Sequence, residues 1–451
     1  MSTLAPPPPD TSLLSLLLSG ERFWPTEPQS VHDLGLSETF LDSLVAKLML
    51  SSGSVSGRSI ATELCLPFKI TEATLERLRT RRLVTHVGSG SFNDYVYELS
   101  EEGRQRAQTF DSGCSYVGPA PVPLADYVIS VEAQASSEEP IRRGELADSF
   151  QDISISGDLL DLLGPAVNSG KGIFLYGAPG NGKSTLAARI TSCLGQEIWL
   201  PHAIIDGGQI ITLFDPAYHR PADAPNGESS WDQRWVRVRR PTVVVGGELT
   251  MDNLEIRHDP VSNVSEAPLQ LKSNCGCLLI DDFGRQLMSP EELLNRWIVP
   301  LENQHDYLTL PTGKKLQVPF EQLIIFSTNL APSDLVDEAF LRRIPYRIEL
   351  TDPDEQEFHY LFQIAAEKVG CYFDPDGVDH LLNHYYRPAN RPLRRCHARD
   401  LLLQVKHYCT YNDVPFEMLP EHFDRVAGGF FTEIDTKDNC RSRRTVAGSR
   451  D

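Results

Sequence analysis

The chain has no apolar run of 18 residues, so no segment reads as a transmembrane helix. It also lacks an excess of positive charge. With 42 Lys+Arg against 62 Asp+Glu the net charge is -20, which excludes a globally basic coat for nucleic acid but not a local basic face. Metal-type cysteine pairs are missing: nine cysteines are scattered, and Cys275 and Cys277 are separated by one residue rather than the two of zinc and redox motifs. Reduced, mostly buried thiols are expected. No Lys or Arg precedes the Leu-rich "SLLSLLLSG", which follows "APPPPD", so a secretory leader is not expected. These absences predict a cytoplasmic protein with no membrane insertion. No internal repeat is visible, and no Asn-Lys-x-Asp guanine motif is present.

What is there is enough chain for several cores. At 451 residues and 41% hydrophobic content, roughly two to four domains are expected. Residues 1–30 are rich in Pro and Ser and read as disordered. From 31 to 110, "FLDSLVAKLML", "SIATELCL" and "TEATLERLRTRRLV" have helical apolar spacing. "THVGSGSFNDYVYELSEEGRQRA" then reads as strand, turn, strand, helix. Residues 111–139 read as a linker, through "DSGCSYVGPAPVPL". Residues 140–350 alternate strands and helices as an α/β domain with a parallel sheet does, interrupted by "DPAYHRPADAPNGESSWDQRW", read as a surface loop. The stretch 207–272 holds a further insertion of no assigned role. Residues 351–430 read as helical, and 431–451 as a disordered tail.

The chemistry concentrates in "LYGAPGNGKST". Gly177, Gly180, Gly182, Lys183 and Ser184 fit G-x-x-x-x-G-K-[ST]. Glycines permit a tight turn whose N–H groups converge on phosphate, and the following helix adds its positive end. The expected nucleotide-binding set is Gly177, Ala178, Pro179, Gly180, Asn181, Gly182, Lys183, Ser184 and Thr185. Lys183 would reach the β/γ-phosphates and Ser184 would ligate Mg²⁺. About a hundred residues on, "CLLIDDF" is an apolar strand ending in two carboxylates: Asp281 to hold Mg²⁺ through its water shell, and Asp282 to orient an attacking water. A third strand, "LIIFSTNL", ends in Ser327, Thr328 and Asn329, where a polar side chain can meet the water or the γ-phosphate.

In this order the segments resemble an AAA+ ATPase, over about 150–430: Walker A "GAPGNGKS", Walker B "LLIDD", sensor-1 "STNL" and a helical lid. The resemblance implies an α/β P-loop NTPase fold with a parallel sheet of order 5-1-4-3-2, ATP and Mg²⁺ as ligands, and a homo-oligomeric ring, usually hexameric. It further implies an arginine finger acting on the neighbour's nucleotide. "FLRRIPYRI" offers Arg342, Arg343 and Arg347 for it, with Arg343 favoured. In "CHARDLLLQV", Arg399 resembles the sensor-2 arginine, with Arg394 and Arg395 competing. The hairpin-like "DYLTLPTGKKLQVPF" is similar to the pre-sensor-1 hairpin of one AAA+ branch, where it points to a central pore. Residues 31–110 resemble a winged helix.

One departure stands out: the family's usual Glu after the Walker B Asp is Asp282 here, one methylene shorter, which points to slow hydrolysis or a binding switch. Two functions compete. One is a chaperone-like remodelling motor recruited by its winged helix to an unidentified protein client. The other is a DNA-associated regulator or loader using that domain on duplex DNA. The domain's balance of 9 Lys+Arg to 10 Asp+Glu is a poor footprint for phosphates, although Arg77, Arg79, Arg81 and Arg82 cluster on its third helix. A small-molecule kinase has no use for the arginines, hairpin and lid.

Overall fold

The computed structural model describes residues 23–89, 94–135, 140–151, 153, 155–194, 197–223, 230–335 and 338–431. Its centre is a five-stranded sheet whose neighbours run Thr242–Val245, Cys277–Ile280, Leu323–Thr328, Ile173–Tyr176 and Tyr346–Glu349, parallel throughout. Numbered along the chain this is 2-3-4-1-5, the expected order. Its three central strands are mostly apolar because both of their faces are covered, whereas the edge strand Tyr346–Glu349 carries exposed Arg347 and Glu349. Alternate residues go to opposite faces. Phe174, Leu278, Ile280 and Phe326 pack with Trp297 of the helix Pro290–Asn303. Ile173, Leu175, Leu279 and Ile325 pack with Leu163 and Leu186 of the helices Gly157–Asn168 and Lys183–Cys193. The fold class expected from the sequence, an α/β P-loop sheet of this order with a C-terminal helical lid, is the one observed.

The lid consists of the helices Glu355–Val369, Pro375–Leu381, Arg395–Asn412 and Pro420–Phe430 around Phe358, Phe362, Leu401 and Phe423, with a π-turn at Leu382–Tyr386. Asp354 caps the first, accepting from the Glu357 N–H at 2.7 Å, and Gly370 ends it at φ +82°.

Residues 31–113 form helices at Glu38–Ser52, Gly57–Glu63, Phe68–Thr80 and Glu101–Gly113. With them goes a three-stranded antiparallel sheet ordered Val55–Ser56, Tyr95–Leu99, Val84–Ser89. Ser37, Ser56 and Ser100 cap three of the helices.

Three expectations are corrected here. The stretch 111–139 is no linker where described: Val122–Pro123 pairs with Ala203–Asp206, and the helix Leu124–Ala135 buries Tyr127 completely. Its prolines fit an edge strand, which needs few donors. The polar stretch expected as a surface loop keeps exposed residues but also sends side chains inside, with 224–229 outside the described residues. His219, Asp232, Arg234 and Trp235 are all buried. Arg234 is neutralised by Asp232 at 2.7 Å and donates to the carbonyls of Leu34 and Pro121. Most of the disordered ends expected at 1–30 and 431–451 lies outside the described residues, but Phe23 packs tilted against Trp235 and Phe431 edge-on against Tyr386, at 5.4 and 5.2 Å between centroids. Aromatic area is enough to order both positions.

The insertion is a second sheet, ordered Arg257–Asp259, Val264–Glu266, Gln209–Thr212, Ala203–Asp206, Val122–Pro123. The expected hairpin forms as His305–Thr309 and Lys315–Pro319. Its Leu308, Leu310, Leu316 and Val318 share one core with Tyr127, Ile204 and Ile211, and Lys314 at its tip meets Asp206. Ala203 and Ile210 of this second sheet in turn belong to the core of residues 31–113.

Candidate functional site

All three polar strand ends of the motif reading lie at the carboxyl edge of the central sheet, where ligands gather in open α/β folds. Gly177, Gly180 and Gly182 have φ of +137°, +83° and +84°, so the loop takes a path that L side chains resist. At two of these positions space also forbids a side chain. A Cβ on Gly177 would lie 2.4 Å from the Leu350 carbonyl oxygen, and one on Gly180 would lie 2.6 Å from Cys396 Sγ.

The helix Lys183–Cys193 starts directly behind the loop. Lys183 folds back across it: Nζ donates to the carbonyls of Gly177 and Ala178, at 2.9 and 3.1 Å, and to Asn329 Oδ1 at 2.7 Å. Burial lowers the pKa of this ammonium, Asp281 and Asp282 pull it back up, and the charge of Arg394 lowers it further. Ser184 Oγ donates to Asp281 Oδ2 at 2.6 Å, and Ser327 Oγ donates to Asp281 Oδ1 at 2.7 Å. Asn329 Nδ2 donates to Asp282 Oδ1 at 3.1 Å. Two chains of contacts result: Ser184–Asp281–Ser327, and Lys183–Asn329–Asp282.

Asp282 has φ +49°, a left-handed turn that Asp tolerates better than most residues. That turn is pinned from outside. The Phe283 N–H donates to the Ser327 carbonyl at 2.7 Å, and Thr328 Oγ1 donates to the Phe283 carbonyl at 3.0 Å. Gln286 Nε2 donates to the carbonyls of Asp281 and Asp282. Sequence reasoning missed Gln286, and nothing in "DDFGRQL" singles out a glutamine whose role is to brace a turn.

The remaining named residues separate. Pro179 and Thr185 are exposed on the loop and the first helical turn. Arg343 stands just before the last core strand, at the opposite edge of the sheet from the loop. There its Nε meets Glu302 at 2.8 Å beside a cavity of about 740 Å³ that Lys171, Gly172 and Gln322 also line. Arg342 and Arg347 are exposed. Arg399 is solvent-facing and turned to Asp400 at 2.8 Å, one turn beyond the Cys396 that touches the loop. Arg395 is bonded to Glu357. Arg394 contacts Asp352, which in turn holds Asn181 of the loop. Asp352 was invisible as a site residue because "TDPDE" reads only as a turn ahead of a helix.

A family model described as a domain of unknown function (DUF8689) matches residues 354–428, the helical lid. No curated protein matches the chain. Among solved structures the chain is similar to NtrX from Brucella abortus, at 15% identity over 81% of this chain and 74% of that one, with a TM-score of 0.38. It is also similar to two mutants of RuvB from Thermotoga maritima. The first shows 14% identity over 61% of this chain and 70% of that one at a TM-score of 0.37. The second shows 15% identity over 65% and 71% at 0.34. What defines the fold class, an α/β P-loop sheet with a C-terminal helical lid, is the chain's own strand order, loop and lid.

Proposed function

We propose that this chain binds and hydrolyses ATP and works as an oligomeric remodelling motor whose N-terminal unit engages a protein partner. The observation that carries the reading is the meeting of Lys183, Ser184, Asp281, Asp282 and Asn329 within hydrogen-bond distance at the mouth of a glycine loop. Lys183 neutralises the β/γ-phosphates, and the N–H groups of 177–184 cradle them. Hard oxygen donors from Ser184 and Asp281 suit Mg²⁺, which when bound neutralises charge on the transferred phosphoryl group. Asp282, held by Asn329, orients the attacking water.

The assembly reading rests on Arg343. Its place across the sheet from its own loop puts it out of reach of its own nucleotide, so its catalytic use requires a second copy, as in a hexameric ring. The helix–strand–helix–helix–hairpin order of residues 38–99 supports a winged-helix reading. For its partner, protein is favoured over duplex DNA because the third helix and its end spend part of their cations internally, while Arg82 stays exposed. Arg77 and Arg81 both clasp buried Asp42, at 2.7 and 2.8 Å, and Arg79 faces Glu76. Among the described residues no helix is long and apolar enough to cross a membrane, and the described cysteines are all free. Both fit a cytoplasmic setting.

Mixing variants tests the reading. Lys183→Ala should lose ATP binding in a calorimetric titration, and Arg343→Ala should bind ATP but hydrolyse it poorly. The mixture should recover part of the activity, since an intact pocket then meets an intact Arg343. Unchanged affinity in Lys183→Ala sinks the nucleotide assignment; absence of recovery, with activity independent of concentration, sinks the ring.

A further inference from the structure

Asn181 sits inside the phosphate loop between Gly180 and Gly182, yet it is only 1% exposed. Its carboxamide is fully engaged away from the ligand side. Nδ2 donates to Asp352 Oδ1 at 2.7 Å and to the Leu350 carbonyl at 3.3 Å, and Oδ1 accepts from the Arg395 N–H at 3.4 Å. One residue back, the Gly180 carbonyl accepts from the Cys396 N–H at 2.9 Å. Asp352 lies in the short connection between the last core strand, Tyr346–Glu349, and the first lid helix, Glu355–Val369. Its other partner is Arg394, the residue that opens the helix Arg395–Asn412. Core, lid and loop therefore meet at one carboxylate.

Glycines on both sides of Asn181 leave the intervening peptides free to rotate. The direction of the loop's N–H groups is then set by what grips Asn181 and Gly180, and both grips come from the lid or its hinge. We propose that Asn181 and Asp352 form a latch by which the lid sets the shape of the phosphate loop, both acting as positioning residues. A lid that shifts against the sheet pulls on the loop through Asp352. Nucleotide that orders the loop draws the lid inward by the same bond, since such coupling is reciprocal. The consequence for ATP rests on the function proposed above; the mechanical link between lid and loop does not.

The test uses the full chain, with Asp352→Ala, Asp352→Asn, Asn181→Ala and the double alanine variant. Two quantities are read: hydrogen exchange of the amides of 177–184 without nucleotide, and ATP affinity by calorimetry. Losing a hydrogen bond to a charged acceptor should raise loop exchange and weaken ATP binding about tenfold in either alanine variant. The double variant should fall short of the sum of the two singles, because the bond between Asn181 and Asp352 is lost in both while each also loses partners of its own. Asp352→Asn keeps an accepting oxygen but drops the charge facing Arg394, and should stay within about twofold of the wild type. Unchanged loop exchange in the alanine variants overturns the latch, as do additive single effects or an asparagine as damaging as alanine. If Asp352→Ala does not fold, Asn181→Ala removes the bond from the loop side, and its comparison with Asp352→Asn decides. A wild-type chain that binds no ATP removes the functional reading and leaves the exchange measurement to judge the latch.

Discussion

Around the phosphate loop, polar side chains meet because they end adjacent strands of one parallel sheet. Around Arg234 they meet because distant pieces of chain fold onto each other. The first arrangement draws on residues 177–184, 281–282 and 327–329, each a contiguous motif. The second draws on Asp232, the Leu34 and Pro121 carbonyls, and an aromatic group in which Trp199 and Trp235 pack with Phe23, Trp24 and Trp231. The difference separates chemistry from architecture. The loop region is partly open; the Arg234 region is closed, and its ion pair ties the chain at Leu34 and Pro121 to the stretch 232–235.

Four experiments can break or sharpen that contrast. Asp282→Asn should slow turnover about 10²- to 10⁴-fold, the usual worth of a positioned acid or base, while leaving ATP affinity and the unfolding midpoint unchanged. A variant hydrolysing at the wild-type rate would make Asp282 a bystander. Arg234→Ala should do the reverse. It leaves Asp232 buried without its ion partner, at a cost of about 3–5 kcal/mol, seen in urea unfolding followed by tryptophan emission, with ATP affinity kept. If that variant also loses ATP binding at temperatures where it stays folded, the two regions are not separable.

Leu308→Ala, in the hairpin's buried row, should cost about 2–5 kcal/mol and lower the same tryptophan-reported midpoint. A change below about 0.5 kcal/mol, as at a surface position, would mean the hairpin stands free of the insertion. The smallest effect is acid-dependent. Burial alone would raise the Asp215 carboxyl, but the bonds from Lys272 and the Ala217 N–H outweigh it and hold the pKa below the ordinary 3.8. A depressed folded pKa gives stability that is full above the unfolded value and is lost as pH falls through the folded one. Asp215→Asn should therefore cost about 1–2 kcal/mol near pH 6, in line with a bond to a charged partner, and the gap to wild type should narrow below pH 3.8. A gap constant from pH 6 to pH 3 would remove Lys272–Asp215 as the cause.

Legibility followed the same line. The strands "IFLY", "CLLI" and "LIIFST" were readable because a strand buried on both faces is apolar at every position. The loop was readable because its backbone path needs glycines at set spacing. The insertion was not, since strands as short as Val122–Pro123 and Val264–Glu266 carry no period to detect. "PAPVP" looked like a linker because its prolines signal turns, and nothing local says that a parallel partner waits at Ala203–Asp206. The basic run of the third helix was visible as charge, but Asp42, 35 residues before Arg77, decided what that charge is for.

By itself, the sequence determined the glycine loop, the two strand-end acids, the strand-end asparagine and the order of the central strands. Each of these depends on residues close along the chain, through backbone torsion or the two-residue pleat. Tertiary structure alone decided that Arg394 rather than Arg399 contacts the carboxylate holding the loop, that Arg343 faces away from its own loop, and that Asn181 is gripped from the lid. It also decided that the presumed linker and surface loop each send side chains, Tyr127 and Arg234 among them, into the interior. Each of these depends on which long-range neighbour a side chain meets, and a buried polar group takes whatever partner the packing brings within hydrogen-bond reach.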